Sequence, residues 1–274
     1  MPNIILGTLN IGKGATKFLD TNYSKQDVED NLRLIANLIN RHAIDVIGLQ
    51  EVDVNTNRNR KVDEPTFLRD ELNWPIRGSR FESAIEFDDG YFGNAILMNV
   101  SKEELTYQDS KIQRKKFTKL FGREDRSAIA IRIDIKQPTS SSRTFKNLWF
   151  VTTHLDNPFC DWTNQLCQIL SWTDGFSFPV IICGDFNVPE RAEGLKTVEY
   201  QLLKEMFDKY GFIDLGPFDD VNFTFPRRAT KKVDFMFLRD NRKWFDIDNI
   251  ERIRPKIDDV WLTDHWAIVC SLSY

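Results

Sequence analysis

The sequence predicts a layered α/β fold, and three observations predict it. Strand-like and helix-like periodicities alternate through the first half of the chain and again around residues 148–210. The strand-like runs are rich in β-branched residues, as buried strands are. Several of them also end in Asn, Gln, Glu, His or Asp, with turn residues close behind. With 274 residues, 41% of them hydrophobic, the chain can bury a substantial core. No internal repeat, low-complexity tract or Gly/Ser linker divides it, so one domain over 1–274 is expected.

Taken in order, NIILGTLNI (3–11) reads as a buried strand that ends at Asn10, with Gly12 and Gly14 opening the loop. Ser24 followed by Asp27 resembles a capping box, and Val28, Leu32, Ile35 and Ile39 recur at helical spacing, predicting a helix over 25–41. IDVIGL (44–49) is a central strand that delivers Gln50 and Glu51. If this strand runs parallel beside the first, Asn10 and Glu51 share one sheet edge. Residues 54–90 are polar, with one short helix expected near 65–72, and YFGNAILMNV (91–100) returns to strand chemistry. SAIAIRIDI (127–135) alternates cleanly, predicting a strand with one wet face. LWFVTTHL (148–155) is a strand that carries His154 to its exit.

A helix over 163–172, with Leu166, Ile169 and Leu170 at helical spacing, leads to VIICGDFNVPE. Its apolar run stops at Gly184 and presents Asp185 and Asn187 on one side, with Phe186 on the other. That pair could equally serve an Asx-type turn that holds its own backbone. Residues 197–210 predict a helix with Val198, Leu202, Leu203 and Phe207 on its apolar side and Gly211 as its stop. FTFP (223–226) and VDFMFL (233–238) read as short strands joined by the basic turn RRATKK. Asp234 inside an apolar run is expensive to bury without a partner. The last strand, 266–272, is preceded by Thr263, Asp264 and His265.

A formal net charge of −4 argues against a protein that binds nucleic acid over its whole surface. The most basic segment, KIQRKKFTKLFGR (111–123), reads first as a solvated loop or hairpin tip, and second as a local surface for a polyanion. No apolar run approaches a membrane span, and the N-terminus lacks a basic n-region, so cytoplasmic residence is expected, with signal-independent export left open. Cys160, Cys167, Cys183 and Cys270 have no CxxC spacing and read as free thiols in a reducing compartment, not as a zinc site. The chain has three histidines. His42 falls just past a helix end, while His154 and His265 stand beside strand ends.

Collected from the strand ends, Asn10, Glu51, His154, Asp185, Asn187, Asp234, Asp264 and His265 form one candidate site. Each has a structural alternative, but sites in layered α/β folds form where strand ends converge. Carboxylates with amide oxygens and no thiolate suit magnesium or manganese. Such an ion neutralises charge in an in-line displacement at phosphorus, and a carboxylate-held histidine can donate to a phosphoryl oxygen. Phosphoester hydrolysis uses all of these parts.

The motifs TLNI, LQEVD, GNAIL, TTHLD, GDFN, VDFMF and TDHWAIV, in this order, resemble the endonuclease/exonuclease/phosphatase superfamily over about residues 4–272. The resemblance implies an α+β, four-layer α/β/β/α sandwich of two mixed sheets flanked by helices, the deoxyribonuclease I-like fold, with one metal-dependent site at the shared sheet edge. It implies Glu51 as principal metal ligand with Asn10 and Asp264 nearby. Asp185 would orient or deprotonate water, and Asn187 would position it. His265, held by Asp234, would stabilise the phosphoryl centre. His154 and Asn157 would contact the scissile phosphate from the opposite side, and Arg126 would help hold substrate. The expected activity is magnesium-dependent phosphodiester hydrolysis in a nucleic acid or nucleotide. Its alternatives are a phosphomonoesterase acting on inositol phosphates or phospholipids, a tyrosyl-DNA phosphodiesterase-like repair activity, and a non-catalytic binding protein. GDFN lacks the threonine at its third position associated with the tyrosyl-DNA phosphodiesterases. No obligate protein partner is expected.

Overall fold

Two β-α-β units frame the molecule, one in each of two sheets. The computed structural model describes residues 2–12, 22–107, 111–117, 125–136, 145–157, 161–192, 195–216, 232–257 and 260–274. In the first unit the strand Asn3–Asn10 leads through the helix Lys25–Arg41 to the parallel strand Val46–Val54. That helix starts where its capping pattern predicts: Asp27 N–H donates to Ser24 Oγ at 3.3 Å, and Ser24 N–H donates to the Asp27 carboxylate at 2.6 Å. In the second unit Phe145–His154 leads through Trp162–Asp174 to the parallel strand Val180–Asp185. All other strand pairs in the two sheets are antiparallel.

Among the described residues one sheet has six strands, in the order Asp246–Ile253, Ala267–Ser273, Asn3–Asn10, Val46–Val54, Gly90–Met98, Ser79–Phe87. The other has seven. Ile213–Asp214, Asp234–Arg239, Val180–Asp185, Phe145–His154 and Ser127–Lys136 lie side by side, and both Leu105–Thr106 and Ile112–Lys116 pair with the last of these. Leu6, Ile96, Ile131, Phe150 and Met236 belong to the core between the sheets. Val28, Leu32, Ile35 and Ile39 pack the first helix on the outer face of one sheet. Leu166, Ile169, Leu203 and Phe207 pack two helices on the outer face of the other. The result is the four-layer α/β/β/α sandwich.

Several local expectations change for reasons of layering. Ser127–Lys136 turns Ile129, Ile131, Ile133 and Ile135 to the inter-sheet core, while its other face is divided: Ala128 and Ala130 meet the helical layer, and toward the far end Arg132 is half-buried and Lys136 exposed. Of the basic segment, Ile112–Lys116 is a strand that pairs antiparallel with Ser127–Lys136, and its consecutive charged residues Arg114, Lys115 and Lys116 suit a sheet edge, where they oppose further strand pairing. Ser79–Phe87 and Asp246–Ile253 are edge strands whose polar composition hid them from the sequence reading. Val198 and Leu202 are exposed, and the helix Val198–Lys209 packs through Tyr200, Leu203 and Phe207. The expected strand 223–226, residues 227–231 of the basic turn, residues 118–123 of the basic segment and Cys160 lie outside the described residues. No described helix is long and apolar enough to cross a membrane.

Candidate active site

Both parallel strand pairs point their C-terminal ends to the same place. In register, Asn10 lies opposite Gln50 in one sheet and His154 opposite Asp185 in the other, and Asp185 also pairs with Asp234. The two sheets approach closely just below these ends. A Cβ on Gly48 would stand 2.6 Å from Thr152 Oγ1, so only glycine fits there without displacement. Gln50, fully buried, spans the seam by donating to Thr152 Oγ1 at 2.7 Å and to Thr8 Oγ1 at 3.0 Å.

Local backbone turns aim the side chains above that seam. The pairing of Val46–Val54 with Gly90–Met98 shifts register between Leu49 and Val52, and Glu51 within this bulge has φ +54°. A left-handed glutamate is strained, and a bulge there re-aims a side chain that a regular pleat would send elsewhere. Asn187 also has φ +54°, a region that asparagine tolerates better. Gly184, at φ +140°, sits where a Cβ would fall 1.9 Å from Thr153 O, which fixes glycine before Asp185.

Asn10 joins the two acidic groups, donating from Nδ2 to Glu51 at 3.2 Å and to Asp185 Oδ2 at 3.0 Å, while its oxygen accepts from Gly12 N–H at 2.9 Å. Thr263 Oγ1 donates to the Asn10 carbonyl at 2.8 Å and so ties the TDH turn to this strand end. His265 Nδ1 meets Asp234 Oδ2 at 2.9 Å, and its Nε2 stands 3.7 Å from Asp185 Oδ2. Burial opposes charge on His265, but Asp234, Asp185 and Asp264 outweigh it and hold the imidazolium up to about 10. Burial pushes Asp185 up to about 7, with Asp234 and Glu51 adding repulsion against the opposing pull of His265.

His154 behaves oppositely. Burial, and then the Arg126 guanidinium, hold it well below its ordinary range. Arg126 Nη1 lies 3.2 Å from its Nδ1, and Asn187 Nδ2 lies 2.9 Å from its Nε2. Both ring nitrogens therefore face N–H groups, although Asp185 Oδ2 also lies 3.5 Å from Nε2; burial and Arg126 favour the neutral ring, and one tautomer can accept from only one of the two donors. Asn187 also donates to Leu155 O at 2.8 Å, and its own N–H goes to Asp185 Oδ1 at 2.8 Å. The Asx turn and the candidate pair Asp185–Asn187 are thus the same object. Asn157 lies on the exposed turn after the His154 strand, and its N–H donates to Asp156 Oδ1 at 3.0 Å. Asp264 is fully buried beside His265.

The donor set fits a divalent metal ion. Glu51, His154 and Asp185 each offer a ligand atom within 4.8 Å of the others, as do Asp185, Asp234 and His265. In the second group Asp234 and His265 are engaged with each other, and in the first the His154 ring nitrogens face Arg126 and Asn187, which leaves the Glu51 and Asp185 carboxylates as the anionic donors nearest to hand for a cation. Two carboxylates close enough to push Asp185 upward would be relieved by an added cation. Sequence reasoning left Gln50, which it found at a strand end, and Thr8 and Thr152 out of the candidate set, since none carries a titratable group. It also left out Asn94 of the GNAIL motif, buried and donating to Ser127 O at 2.9 Å next to Arg126.

Comparison with solved structures finds the same fold over nearly the full chain. D. rerio TDP2 complexed with single strand DNA product is 19% identical with a TM-score of 0.66, covering 99% of each chain. The human Nocturnin catalytic domain with bound sulfate anion is 18% identical with a TM-score of 0.67, covering 99% of this chain and 94% of that one. The endonuclease/exonuclease/phosphatase from Bacteroides vulgatus is 17% identical with a TM-score of 0.68, covering 100% and 99%. No curated protein matches the sequence. The model of the Endonuclease/Exonuclease/phosphatase family matches residues 7–265, so the chain belongs to this family of hydrolases acting on phosphoester bonds.

Proposed function

We propose that the chain is a magnesium-dependent phosphodiesterase whose substrate is a nucleic acid or nucleotide, with manganese as a substitute ion. One observation carries the reading: His265, held at Nδ1 by Asp234, brings its Nε2 to 3.7 Å from the Asp185 carboxylate at the meeting point of both sheets. Glu51 is the principal metal ligand, with Asn10 and Asp264 supporting it. The bound ion would neutralise charge developing on the phosphoryl and leaving oxygens. Asp185 accepts the proton of the attacking water, which Asn187 positions. His265, oriented through Nδ1 by Asp234, donates from Nε2 to a phosphoryl oxygen as negative charge grows there. His154, neutral and backed by Arg126, holds the phosphate from the opposite side together with Asn157. The core shared by both sheets supports reading 1–274 as one domain.

That D. rerio TDP2 is described with a single strand DNA product favours a diester in nucleic acid as the first substrate to try. The test is a panel of bis-nitrophenyl phosphate, single- and double-stranded DNA, RNA and phosphoinositides, each with magnesium or EDTA. Magnesium-dependent cleavage of the diesters is expected. Activity confined to phosphomonoesters would overturn the diesterase assignment.

A further inference from the structure

A cavity of about 290 Å³ opens beside the site, lined by Glu51 and His154 at one end and by Arg58, Ile85, Phe87, Phe92 and Arg126 around it. Three of these residues belong to the edge hairpin formed by Ser79–Phe87 and Gly90–Met98. Ile85 pairs with Phe92 across it, and Phe87 lies two residues on from Ile85 on the same face. The hairpin thus turns an apolar, aromatic face toward a polar cavity, and Phe87 remains 40% exposed. Nothing in the core requires this, because a solvated edge strand is ordinarily polar.

Arg58 is built into the same wall. Its guanidinium carbon lies 4.6 Å from the Phe87 ring centroid and 4.9 Å from that of Phe92. Its Nε and Nη2 donate to the two oxygens of fully buried Asp53 at 2.7 and 2.9 Å. The Asp53 N–H is in turn held at 2.7 Å by Glu64, also fully buried. Asp88 fastens the loop from the other side, accepting from Arg58 N–H at 2.5 Å. The guanidinium is therefore fixed before any ligand arrives, so a partner meets it without the ordering loss of a free arginine.

A planar π system with an attached phosphate matches this lining: aromatic rings and guanidinium groups accept a flat face, and the phosphate lies toward Glu51 and His154. A polyol ring would set its hydroxyls against Ile85, Phe87 and Phe92 without partners. An acyl chain finds two guanidinium groups in a volume just under the usual range for small-molecule pockets, about 300–1,000 Å³. We propose that this cavity is the subsite for the nucleobase next to the scissile phosphate, with Phe87 and Phe92 as its stacking wall and Arg58 as its fixed cationic edge. The assignment rests on reading the neighbouring centre as a phosphodiesterase acting on nucleotides.

The test is calorimetric binding of adenosine 5′-monophosphate and of ribose 5-phosphate, in magnesium, to the wild type and to Phe87→Leu, Phe92→Leu and Arg58→Lys. The two ligands share their phosphate and differ in the base. In the wild type the nucleotide binds at least about fivefold tighter, the low end of what one stacked base supplies. Phe92→Leu or Phe87→Leu reduces that ratio to about twofold or less while ribose 5-phosphate affinity stays put, since only the π-face is lost. The leucine variants keep an apolar side chain, so the test survives even if Arg58→Lys disturbs the buried Asp53 and does not fold. Equal affinity for the two ligands, no nucleotide binding, or an undiminished ratio in both folded leucine variants overturns the subsite. Hydrolysis of bis-nitrophenyl phosphate by the same preparations judges the phosphodiesterase reading separately. A base preference without that hydrolysis removes the reading and keeps the pocket, and hydrolysis without a base preference does the reverse.

Discussion

Asp234 Oδ2 stands 2.9 Å from His265 Nδ1, with both side chains buried, and this contact joins the first residue of the strand Asp234–Arg239 to the turn before the strand Ala267–Ser273. It crosses from one sheet to the other. The carboxylate therefore does two things: it fixes the ring so that Nε2 faces Asp185, and it helps keep the ring charged.

His265→Ala and Asp185→Asn are each expected to lower turnover at least about a hundredfold, the usual scale for loss of a general base or preorganised donor. Asp234→Asn should cost less, because it acts through the imidazole. Steady-state rates on folded variants decide this, and unchanged rates remove the residue from the mechanism.

Asp234→Asn also makes a pH prediction. His265 is held up to about 10, above its ordinary 6.5, so its proton is retained through neutral pH and released as pH rises through about 10. Without the Asp234 charge that release moves to lower pH, and the alkaline limb of the pH–rate profile should move with it. A limb that stays in place would show that it reports another group.

Stability and activity should part company at Asp185. Its acid is pushed up from 3.8 to about 7, so the fold disfavours its charge. The resulting destabilisation is absent below about pH 3.8, accrues as pH rises to about 7 and is complete above it. Metal-free Asp185→Asn should thus melt higher than the wild type at pH 8, by about 2 °C per kcal/mol relieved, and at nearly the same temperature near pH 4. A lower melting temperature at pH 8 would mean that its hydrogen bonds outweigh its desolvation.

Magnesium should raise the melting temperature of the wild type, and EDTA should reverse the shift. An ion present at a hundred times its dissociation constant adds about 2.7 kcal/mol. Glu51→Gln is expected to lose most of that response. No response in either protein would favour a scaffold that has given up the metal.

At the seam below the site, Gly48→Ala places a methyl group 2.6 Å from Thr152 Oγ1. Overpacking of this kind typically costs about 1–3 kcal/mol. Denaturant titration should show the loss, and Thr152→Gly in the same chain should recover part of it.

Much of this was legible in the sequence because it depends on local physics. The helix Lys25–Arg41 is announced by its capping box and its apolar spacing, and the buried strands by their β-branched runs. Asp234 betrayed itself as a carboxylate in an apolar run, and its partner is His265. Strand-end polar residues could be collected into one candidate set because the ends of central strands are where side chains escape the core.

Tertiary structure alone decided the rest. That Ala128 and Ala130 on the outer face of Ser127–Lys136 are covered follows from there being a helical layer outside the sheet, which no single strand records. The bulge that turns Glu51 arises from a mismatch with the Gly90–Met98 strand, and a mismatch belongs to two strands together. His154 and His265 are the same residue type at similar strand ends, yet one is held below its ordinary range and the other well above it. Asp185 stands near both rings, 3.5 Å from His154 Nε2 and 3.7 Å from His265 Nε2, so the difference is set by the other neighbours, distant in the chain: Arg126 beside one ring and Asp234 beside the other. Local sequence determines which side chains reach the end of a strand; the charges they meet there are brought by other strands, and only the fold assembles them.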